Sequence, residues 1–495
     1  MTNVDPGATA VSSRALGVLL DSWRASSAPG YLALADRIRL LVLDGRLPVG
    51  TRLPSERDLS THLGVSRTTV TAAYATLRDG GHIDSVRGSG SVVRLPTRVA
   101  LPRPASTEGL LDLTKAALPA ADGIAEAAQR AAGRLGAYLG DSGYDKIGRP
   151  VLREAIAERY RRRGLETSAD QIVVTLGAQH AIALLARVLV GRGDRAVVEA
   201  PGYPHAFEAL RVAGARLVPV SVTVGDGWDE AALMQTLRRT SPPVAYLMPD
   251  FHNPTGATMP PDQRARVLDA AAAEGTVVIV DETMAELSID GAAGAGAAVG
   301  SEASGAASPG RPLPMAAYGP AVSIGSVGKS LWGGLRIGWI RADRPLVDRL
   351  VRARSAGDLG TPVLEQLLVA ELLADLDGVL EARAAHLRRG RDRVVTGLRT
   401  AFPSWDVPSP AGGLSTWVGL GAPVSSQLTL AARREGLLLA AGPVFGVDGA
   451  FERFLRVPFS YGDDETDRAL TALRAAWDGI DGVQGPASPL LAEVV

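Results

Sequence analysis

From Leu111 onward the chain alternates short apolar runs with longer segments of helical periodicity. The apolar runs fall at residues 172–175, 196–199, 217–220, 244–248, 277–280, 323–326 and 336–340. Strands that alternate with helices in this way build βαβ units, whose parallel sheets are covered by helices on both faces. The sequence therefore predicts an α/β fold with a mostly parallel central sheet for the larger, C-terminal part of the chain.

The overall composition excludes several classes of protein. The 495 residues carry 52 basic and 53 acidic side chains, so any affinity for nucleic acid must come from a local patch. Cysteine is absent, which excludes disulfides, thiolate metal sites and cysteine nucleophiles, and no metal site is expected. No apolar run reaches the roughly 18 residues that cross a membrane. The only apolar cluster near the start is too short for a signal sequence, so the cytoplasm is the expected compartment.

Changes in composition divide the chain into five parts. Residues 1–29 form a small and polar N-terminal extension, and residues 30–94 form a compact helical module that ends in a glycine-rich hairpin. Residues 95–110 are rich in proline, which is typical of a linker. Residues 111–482 form the α/β part, interrupted by a loop of Gly, Ala, Ser and Pro at 291–314, and residues 483–495 form a loose tail.

Two short helices joined by a glycine turn are predicted within the N-terminal module. Ser55 and Asp58 have the spacing of a helix N-terminal cap, Gly64 follows that helix, and Ser66 caps the next one. This is the helix-turn-helix plan, in which the N-terminal end of the second helix enters the major groove of DNA. The hairpin over residues 82–93 then has the position of a wing.

The charge of this module favours binding to DNA. Between residues 31 and 94 there are nine arginines and six acidic residues, which gives a local balance of +3. A small helical interaction domain with solvated arginines has the same spacing, so the spacing alone leaves both interpretations open. The segment LPSERDLSTHLGVSRTTV, followed by LRDGGHI, resembles the winged helix-turn-helix of the GntR family of bacterial repressors.

The resemblance to the GntR family implies which residues touch double-stranded DNA. In that family the arginine of the PSER segment, the SRTT residues and the tip of the wing contact the duplex. The corresponding residues here are Arg57, Ser66, Arg67, Thr68, Thr69, Arg87 and Gly88. A bidentate contact between Arg67 and guanine would contribute about 1–3 kcal/mol of base discrimination.

A lysine in a glycine-rich segment is the main candidate for covalent chemistry. The chain holds three lysines, Lys115, Lys146 and Lys329, and the segment SIGSVGKSLWGGLRIGW places Lys329 just after an apolar strand. A lysine that forms an imine with an aldehyde cofactor needs a pocket that disfavours its charged form. Ser326 and Arg336 nearby suit the phosphate of such a cofactor. An ordinary surface lysine explains the same residue when it is considered alone.

Four further motifs follow other predicted strands. The segment 175–179 opens a helix after a strand, where backbone N–H groups bind phosphate. Tyr203 offers a flat ring to an aromatic cofactor, and Asn253 offers an amide to a ring hydroxyl. Asp281 ends an apolar strand, where a carboxylate can pair with a pyridinium nitrogen. Each motif alone is compatible with an ordinary turn, loop or helix cap.

Together these motifs resemble the fold-type I pyridoxal 5′-phosphate domain of class I aminotransferases, over roughly residues 110–480. The residues that the resemblance assigns to the cofactor are Gly177, Ala178, Gln179, Tyr203, Asn253, Asp281, Ser326, Lys329 and Arg336. Lys329 is implied to form the internal aldimine, and Asp281 to bind the pyridine nitrogen. Tyr203 is implied to stack on the ring, with Asn253 beside the ring oxygen. The residues around the phosphate are implied to be Ala178, Gln179, Ser326 and Arg336.

The same resemblance implies two contacts beyond the cofactor. Arg456 matches the arginine that clamps the carboxylate of an amino acid, although an arginine in a buried salt bridge has the same pattern. Tyr144 lies in a segment that often reaches toward the cofactor.

Two positions depart from the aminotransferase pattern. The family usually has Asp-x-x-Tyr, whose hydroxyl bonds to the ring oxygen, whereas Met284 stands three residues after Asp281 in this chain. A thioether cannot donate a hydrogen bond. Gly328 also replaces the serine that commonly precedes the lysine. Both changes argue against efficient turnover more than against binding of the cofactor.

A GntR-type winged helix, a proline-rich linker and an aminotransferase-like domain, in this order, resemble the MocR-type transcription regulators. The resemblance implies a head-to-tail homodimer that reads two half-sites of operator DNA. It also implies that the protein senses pyridoxal phosphate, or an amine or amino acid, through aldimine exchange at Lys329. A working aminotransferase with an appended DNA-binding head is the alternative. A third hypothesis is a domain that has lost the cofactor and only dimerises.

Overall fold

The computed structural model describes residues 10–20, 23, 29–43, 47, 51–86, 90–94, 110–290, 313–447 and 449–480. Several predictions from the sequence fall outside these residues. They are the contacts of Arg87 and Gly88 at the tip of the wing, nearly all of the linker 95–110, the insertion up to residue 312, and the tail 483–495.

The helices and strands follow the predicted alternation. The α-helices are α1 (Ser13–Leu20), α2 (Gly30–Leu43), α3 (Glu56–Leu63), α4 (Arg67–Asp79), α5 (Ile124–Arg134), α6 (Pro150–Arg162), α7 (Ala178–Leu189), α8 (Pro204–Val212), α9 (Glu230–Thr240), α10 (Pro261–Ala273), α11 (Arg344–Arg354), α12 (Val363–Leu373), α13 (Leu376–Ala401), α14 (Ser425–Arg434) and α15 (Asp463–Asp478). The strands are β1 (Ile83–Val86), β2 (Gly90–Val93), β3 (Leu111–Asp112), β4 (Ile172–Thr175), β5 (Arg195–Ala200), β6 (Arg216–Thr223), β7 (Gly227–Trp228), β8 (Val244–Leu247), β9 (Val277–Asp281), β10 (Val322–Ser326), β11 (Gly338–Arg341), β12 (Ser415–Gly419), β13 (Leu437–Leu438), β14 (Ala440–Ala441) and β15 (Phe454–Pro458).

The N-terminal module has the predicted helix-turn-helix geometry. The hydroxyl of Ser55 caps α3, Gly64 ends that helix in the left-handed region with a φ of 62°, and the hydroxyl of Ser66 caps α4. Glu56 of α3 accepts hydrogen bonds from Thr71 and Arg78 of α4, at 2.7 and 3.2 Å, which ties the two helices together. The strands β1 and β2 pair antiparallel, as expected for a wing.

This module has a hydrophobic core of its own. The apolar stripe of α4 is buried in it, as the helical periodicity predicts, together with residues of α2 and α3. Helix α1 contributes Leu16 and Leu20 to the same core, and Trp23 is buried there too. Part of the N-terminal extension therefore packs with the winged helix, because its apolar residues recur at helical spacing.

An eight-stranded sheet forms the centre of the larger part of the chain. Its order is β4-β11-β10-β9-β8-β5-β6-β7. Strands β4, β5, β6, β8, β9 and β10 run in one direction, whereas β11 and β7 run in the other. Val197 and Val198 of β5 lie in hydrophobic clusters on opposite faces of the sheet. Burial of both faces explains why these strands are almost continuously apolar.

The reversal of β11 corrects one detail of the predicted strands. The strand begins at Gly338 rather than at Arg336, and Arg336 adopts a left-handed conformation with a φ of 52°. Because β11 is antiparallel to its neighbours, its first residue lies at the edge where the parallel strands end. The segment before β11 therefore lies at the same edge as the loops that follow β4, β5, β8, β9 and β10.

A smaller unit follows the long helix α13. Strands β12, β15 and β14 form an antiparallel sheet, and β13 pairs with β3. Arg456 lies on the central strand, opposite Trp417 and Ala440. Within the described part of the chain, no helix combines the length and apolarity needed to cross a membrane.

Two ion pairs join the N-terminal module to this smaller unit, and in the more exposed one Arg434 of α14 lies 3.5 Å from Asp36 of α2. Arg37 of α2 donates to Glu452 at 3.0 Å, and both side chains are largely buried. Arg37 also donates to the carbonyls of Leu19 and Leu20. Glu452 in turn accepts from the backbone and the hydroxyl of Ser426, at 2.9 and 2.7 Å, at the start of α14. The charge pair thus connects α1, α2 and α14.

Candidate functional site

Lys329 lies just past the end of β10. Its Nζ atom donates to the carbonyl of Ala116 at 2.7 Å. The pKa of Lys329 is lowered to about 8, first by burial and then by the positive charge of Arg456, against the opposing effect of Asp281. The other two lysines differ, since Lys146 bonds to Ser355 and Lys115 is mostly exposed beside Asp112. Lys329 is therefore the lysine whose amine is readily available in its neutral form.

Asp281 is buried at the end of β9 and is held from two sides. Tyr246 donates its hydroxyl to Oδ2 at 2.5 Å, and the backbone N–H of Thr283 donates to Oδ1 at 2.9 Å. Burial raises the pKa of Asp281, and these hydrogen bonds oppose that rise. A cationic nitrogen beside a buried carboxylate of this kind stabilises the charged form of the carboxylate. Tyr246 was not predicted as part of the site; the signal was a hydroxyl within an otherwise apolar strand.

Asn253 and Tyr203 extend from the loops after β8 and β5. Asn253 is buried, and its Oδ1 atom has no hydrogen-bond partner among the described residues. Burial raises the pKa of Tyr203 to about 12, and the charge of Asp281 adds to this, while Arg456 and Arg336 act in the opposite direction. The ring of Tyr203 thus lies within electrostatic range of these three charged groups.

The N-terminal end of α7 and the guanidinium of Arg336 form a cradle for an anion. Gly177 precedes α7 with a φ of 82°, and Ala178 and Gln179 begin the helix. A Cβ atom at Gly177 would lie 2.8 Å from Nη2 of Arg336, so glycine leaves the room that the guanidinium occupies. The first N–H groups of a helix lack partners within it and carry partial positive charge, which suits a phosphate.

The side chains of Ser326 and Gln179 have further partners. Ser326 Oγ donates to the carbonyl of Ile337 and accepts from the N–H of Gly328, both at 3.0 Å. Gln179 donates its amide to the carbonyl of His205 at 3.1 Å. The side chain of Gln179 therefore braces the loop of Tyr203, which leaves its backbone N–H as the group at the helix end.

Arg456 reaches the site from β15 in the smaller unit. Its Nη2 atom donates to the carbonyl of Thr114 at 2.5 Å, and its guanidinium lies 4.9 Å from the centre of the Phe445 ring. Burial lowers the pKa of Arg456 to about 10, so the group stays charged at neutral pH. Its Nε atom has no partner among the described residues, which leaves a donor for a carboxylate.

A second buried group behind the site was missed by the sequence analysis. Glu199, near the end of β5, accepts from the N–H of Met248 at 2.9 Å and from the indole of Trp228 at 2.6 Å. His252 Nε2 lies 3.3 Å from a carboxylate oxygen of Glu199 but not in hydrogen-bonding geometry. The sequence shows Glu199 as an acidic residue within an apolar run. It does not show the hydrogen-bond partners of Glu199, which lie on distant parts of the chain.

Met284 and Tyr144 lie in opposite environments. Met284 is buried and belongs to the main hydrophobic cluster, which gives its thioether a packing role. Tyr144 is 71% exposed, so a single chain does not bring it into the group of residues around Lys329.

The residues around Lys329 fit a phosphorylated pyridine aldehyde. The available groups are an amine with a lowered pKa, a buried carboxylate, an amide oxygen of Asn253 that has no partner among the described residues, and the anion cradle at Gly177. These groups match, in turn, an aldehyde, a ring nitrogen, a ring hydroxyl and a phosphate. All of them lie at one edge of the sheet.

A second candidate site lies at the N-terminal end of α4. Ser66 Oγ accepts from the N–H of Thr69 at 3.1 Å and lies 2.7 Å from the hydroxyls of Thr68 and Thr69. Arg57 and Arg67 are both exposed. Hydroxyl groups at a helix N-terminus beside arginines form a surface suited to the phosphates and bases of DNA.

Comparison with known proteins gives two matches in succession along the chain. Residues 30–93 match the family described as bacterial regulatory proteins, gntR family, and residues 111–473 match aminotransferase class I and II. The HTH-type transcriptional regulator TauR of Rhodobacter capsulatus is 31% identical over 481 residues, which cover 87% of this chain and 93% of TauR. The chain belongs to the MocR-type transcription regulators.

Two further comparisons agree with membership of the MocR type. The probable rhizopine catabolism regulatory protein MocR of Rhizobium meliloti is 30% identical over 408 residues, covering 74% of this chain and 75% of MocR. The crystal structure of LysN, an α-aminoadipate aminotransferase from Thermus thermophilus complexed with N-(5′-phosphopyridoxyl)-L-leucine, has a TM-score of 0.64 at 27% identity. That match covers 77% of this chain and 95% of LysN. The cofactor of this MocR-type protein is pyridoxal 5′-phosphate.

The lowered pKa of Lys329 predicts how covalent loading with pyridoxal phosphate depends on pH. With a pKa of about 8, the neutral amine rises from about a tenth of the molecules at pH 7 to about nine tenths at pH 9. The rate of loading, measured by stopped-flow absorbance, is expected to rise across this range and then level off. In Arg456→Gln the midpoint is expected at higher pH, because a positive charge that lowers the pKa is lost. A rate that still increases tenfold per pH unit above pH 9 would contradict the placement of Lys329.

Proposed function

We propose that this MocR-type regulator acts in the cytoplasm, where it binds operator DNA as a homodimer and senses pyridoxal 5′-phosphate or an amine or amino acid that reacts with it. The observation that carries the sensing role is the amine of Lys329, whose pKa is lowered to about 8 at the edge of the sheet where Asp281 is buried. That arrangement is suited to reversible covalent capture of an aldehyde.

The cofactor, when bound, supplies an aldehyde carbon that condenses with a primary amine and releases water. Lys329 Nζ would provide the neutral amine for this bond and would hold a proton once a ligand amine has taken its place. Asp281 would hold the proton on the ring nitrogen, with Tyr246 fixing the orientation of its carboxylate. Tyr203 would cover the ring, and Asn253 Oδ1 would accept a hydrogen bond from the ring hydroxyl.

The phosphate would lie at the N-terminal end of α7. The residues that would hold it are Gly177, Ala178, Gln179, Ser326 and Arg336, mainly through backbone N–H groups and the guanidinium. Arg456 would bind the carboxylate of an amino-acid ligand through the donors that Thr114 leaves free. These assignments follow from the charge and burial of each group.

The DNA contacts would come from the N-terminal end of α4 and from the wing. Arg57, Arg67 and the hydroxyls of Ser66, Thr68 and Thr69 are the groups on α3 and α4 that would contact DNA, and Arg87 and Gly88 are the candidates in the wing. A ligand changes DNA binding only as far as it binds one conformation of the protein better than another. The contact between Arg37 and Glu452 is one place where a change in the larger part would reach the DNA-binding module.

Regulation, rather than steady-state transamination, is supported by the environment of Met284. This residue packs in the hydrophobic core and has no hydroxyl to offer to the ring oxygen. Covalent capture of a ligand needs one exchange of amines, whereas transamination needs repeated proton transfer.

We also propose that the homodimer is arranged head to tail. Tyr144 is exposed and lies on the same chain segment as Asp141 and Asp145, which bind Arg149 near the start of α6. An exposed aromatic residue on a segment anchored in this way is suited to complete the site of a second subunit. In such a dimer Arg37 would pair with the partner's Glu452 instead of with Glu452 of its own chain.

Replacing the reactive lysine tests the covalent role. Lys329→Ala is expected to abolish covalent loading, so that borohydride reduction with pyridoxal phosphate adds no cofactor mass to the peptide that contains residue 329. Lys146→Ala is the matched control, because Lys146 bonds to Ser355 away from the site, and it should load normally. Labelling of Lys329→Ala at another lysine to the same extent would show that residue 329 was wrongly chosen.

Replacing Arg67 tests the DNA-binding face. Arg67→Ala is expected to weaken binding to DNA selected in vitro by about 1–3 kcal/mol and to relax the preference for one base pair, because the bidentate contact is lost. Cofactor loading should not change. Arg216→Ala, an exposed arginine on β6, is the control and should bind DNA like the unaltered chain. Equal affinity of Arg67→Ala in gel-shift titrations would mean that another element enters the groove.

A mixing experiment tests the head-to-tail arrangement. Arg37→Glu and Glu452→Arg, each prepared alone, place like charges opposite each other, and both are expected to lower the midpoint of thermal unfolding. When the two chains are mixed and allowed to exchange subunits, a head-to-tail dimer restores opposite charges at both contacts and regains the midpoint. The double variant should recover in either arrangement and serves as the control. Failure of the mixture to recover would assign the contact to a single chain.

A further inference from the structure

A cavity of about 600 Å³ adjoins the proposed ligand site. Arg456 and Tyr203 line one part of it, and α14 and the segment 438–445 supply most of the remaining wall. This volume falls within the range of about 300–1,000 Å³ that is usual for small-molecule pockets. It extends beyond what a carboxylate bound to Arg456 would occupy, and therefore has room for a side chain.

The wall of this cavity selects for an apolar ligand with a negative charge at one end. Leu430, Leu438, Leu439, Val444 and Phe445 contribute apolar surface, and no acidic side chain of the described residues lines the cavity. The buried cation is Arg456; the other basic groups are at the exposed rim, where water screens their charge. A ligand with a cationic side chain would find no partner here, whereas an apolar side chain would be removed from water.

The lining of the cavity includes a residue of the DNA-binding module. Leu40 of α2 and Leu430 of α14 line the same space as Arg456. Both leucines also line the narrow crevice between the two parts of the chain, together with Arg37.

The two leucines lie on the same helix faces as residues that bind Glu452. Leu40 follows Arg37 by three residues on α2, and Leu430 follows Ser426 by four residues on α14, so each leucine shares a helix face with a residue bound to Glu452. A ligand that presses on Leu40 and Leu430 would therefore act on the contact that docks the DNA-binding module.

We propose that this cavity binds the side chain of a bulky apolar α-amino acid, and that Leu40 and Leu430 form the subsite that reads its size. The inference rests on the proposed function, since the amine of the same ligand would replace Lys329 on the cofactor aldehyde and its carboxylate would bind Arg456. Through Leu40 the ligand touches the DNA-binding module itself, so the size of the ligand affects directly how this module docks on the larger part of the chain.

The test uses the full-length protein loaded with pyridoxal phosphate and four probes: L-leucine, L-phenylalanine, L-alanine and L-lysine. Binding is followed by the change in the cofactor absorption spectrum during titration. L-Leucine and L-phenylalanine are expected to half-saturate the protein at concentrations about tenfold or more below those for L-alanine and L-lysine, because they bury an apolar side chain. Equal affinities for all four probes would overturn the proposal.

Variants of Leu40 and Leu430 distinguish a specific role in binding the ligand side chain from a general loss of structure. Leu430→Ala and Leu40→Ala are each expected to weaken L-leucine and L-phenylalanine about tenfold while leaving L-alanine within twofold. Leu430→Met, which keeps the volume, should retain the preference, and Leu364→Ala, an exposed leucine on α12, should behave like the unaltered chain. Equal weakening of all probes in Leu430→Ala would overturn the subsite.

A second readout follows the DNA-binding module. L-Phenylalanine is expected to change the affinity of the loaded protein for its selected DNA severalfold, and Leu40→Ala should reduce that change even at saturating ligand. If covalent loading of Lys329 is intact but the probes show no order of affinity, the subsite is wrong and the proposed function stands. If Lys329 does not load at all, the proposed function itself fails.

Discussion

The parallel sheet places the end of each strand at one common edge, and the proposed cofactor site depends on that geometry. Residues 152 positions apart in sequence, Gly177 after β4 and Lys329 after β10, lie at the same edge because parallel strands direct their carboxyl ends to the same side. The antiparallel strand β11 extends the same edge, since the chain must return there before the strand begins. Arg336 is thereby placed over the N-terminal end of α7.

At this edge of the sheet, charged groups of opposite sign influence Lys329 and Tyr203 without forming close ion pairs with them. Burial is the main cause of the lowered pKa of Lys329; Arg456 lowers this pKa further and Asp281 raises it, and the same two charges act in opposite directions on Tyr203. A lysine beside a lone carboxylate would stay fully protonated at neutral pH, whereas one beside a lone guanidinium would have little to orient it. The combination leaves an amine that changes its protonation state near physiological pH, which suits a reversible covalent sensor better than a permanently charged anchor.

Much of this arrangement was predictable from sequence, and the remainder depended on long-range contacts. The strands were recognisable from apolar runs, and Lys329 and Asp281 from their positions directly after such runs. The hydrogen bond between Tyr246 and Asp281 could not be predicted, because the sequence of a buried strand does not reveal which neighbour its tyrosine faces. The left-handed conformation of Arg336 and the partner of Gln179 were likewise invisible, since both depend on where β11 and α8 pack. The contact between Arg37 and Glu452 joins residues 415 positions apart, which no local pattern encodes.

The DNA-binding module makes two kinds of charged contact that respond differently to salt. One is the buried pair of Arg37 and Glu452, and the other is the proposed contact with DNA. Mobile ions screen exposed charges within about 10 Å at 0.1 M, but they reach a largely buried pair much less. The arginines proposed to contact DNA are exposed, and release of counterions makes such binding fall steeply as ionic strength rises. Rising ionic strength is therefore expected to release the protein from DNA before it separates the DNA-binding module from the rest of the chain.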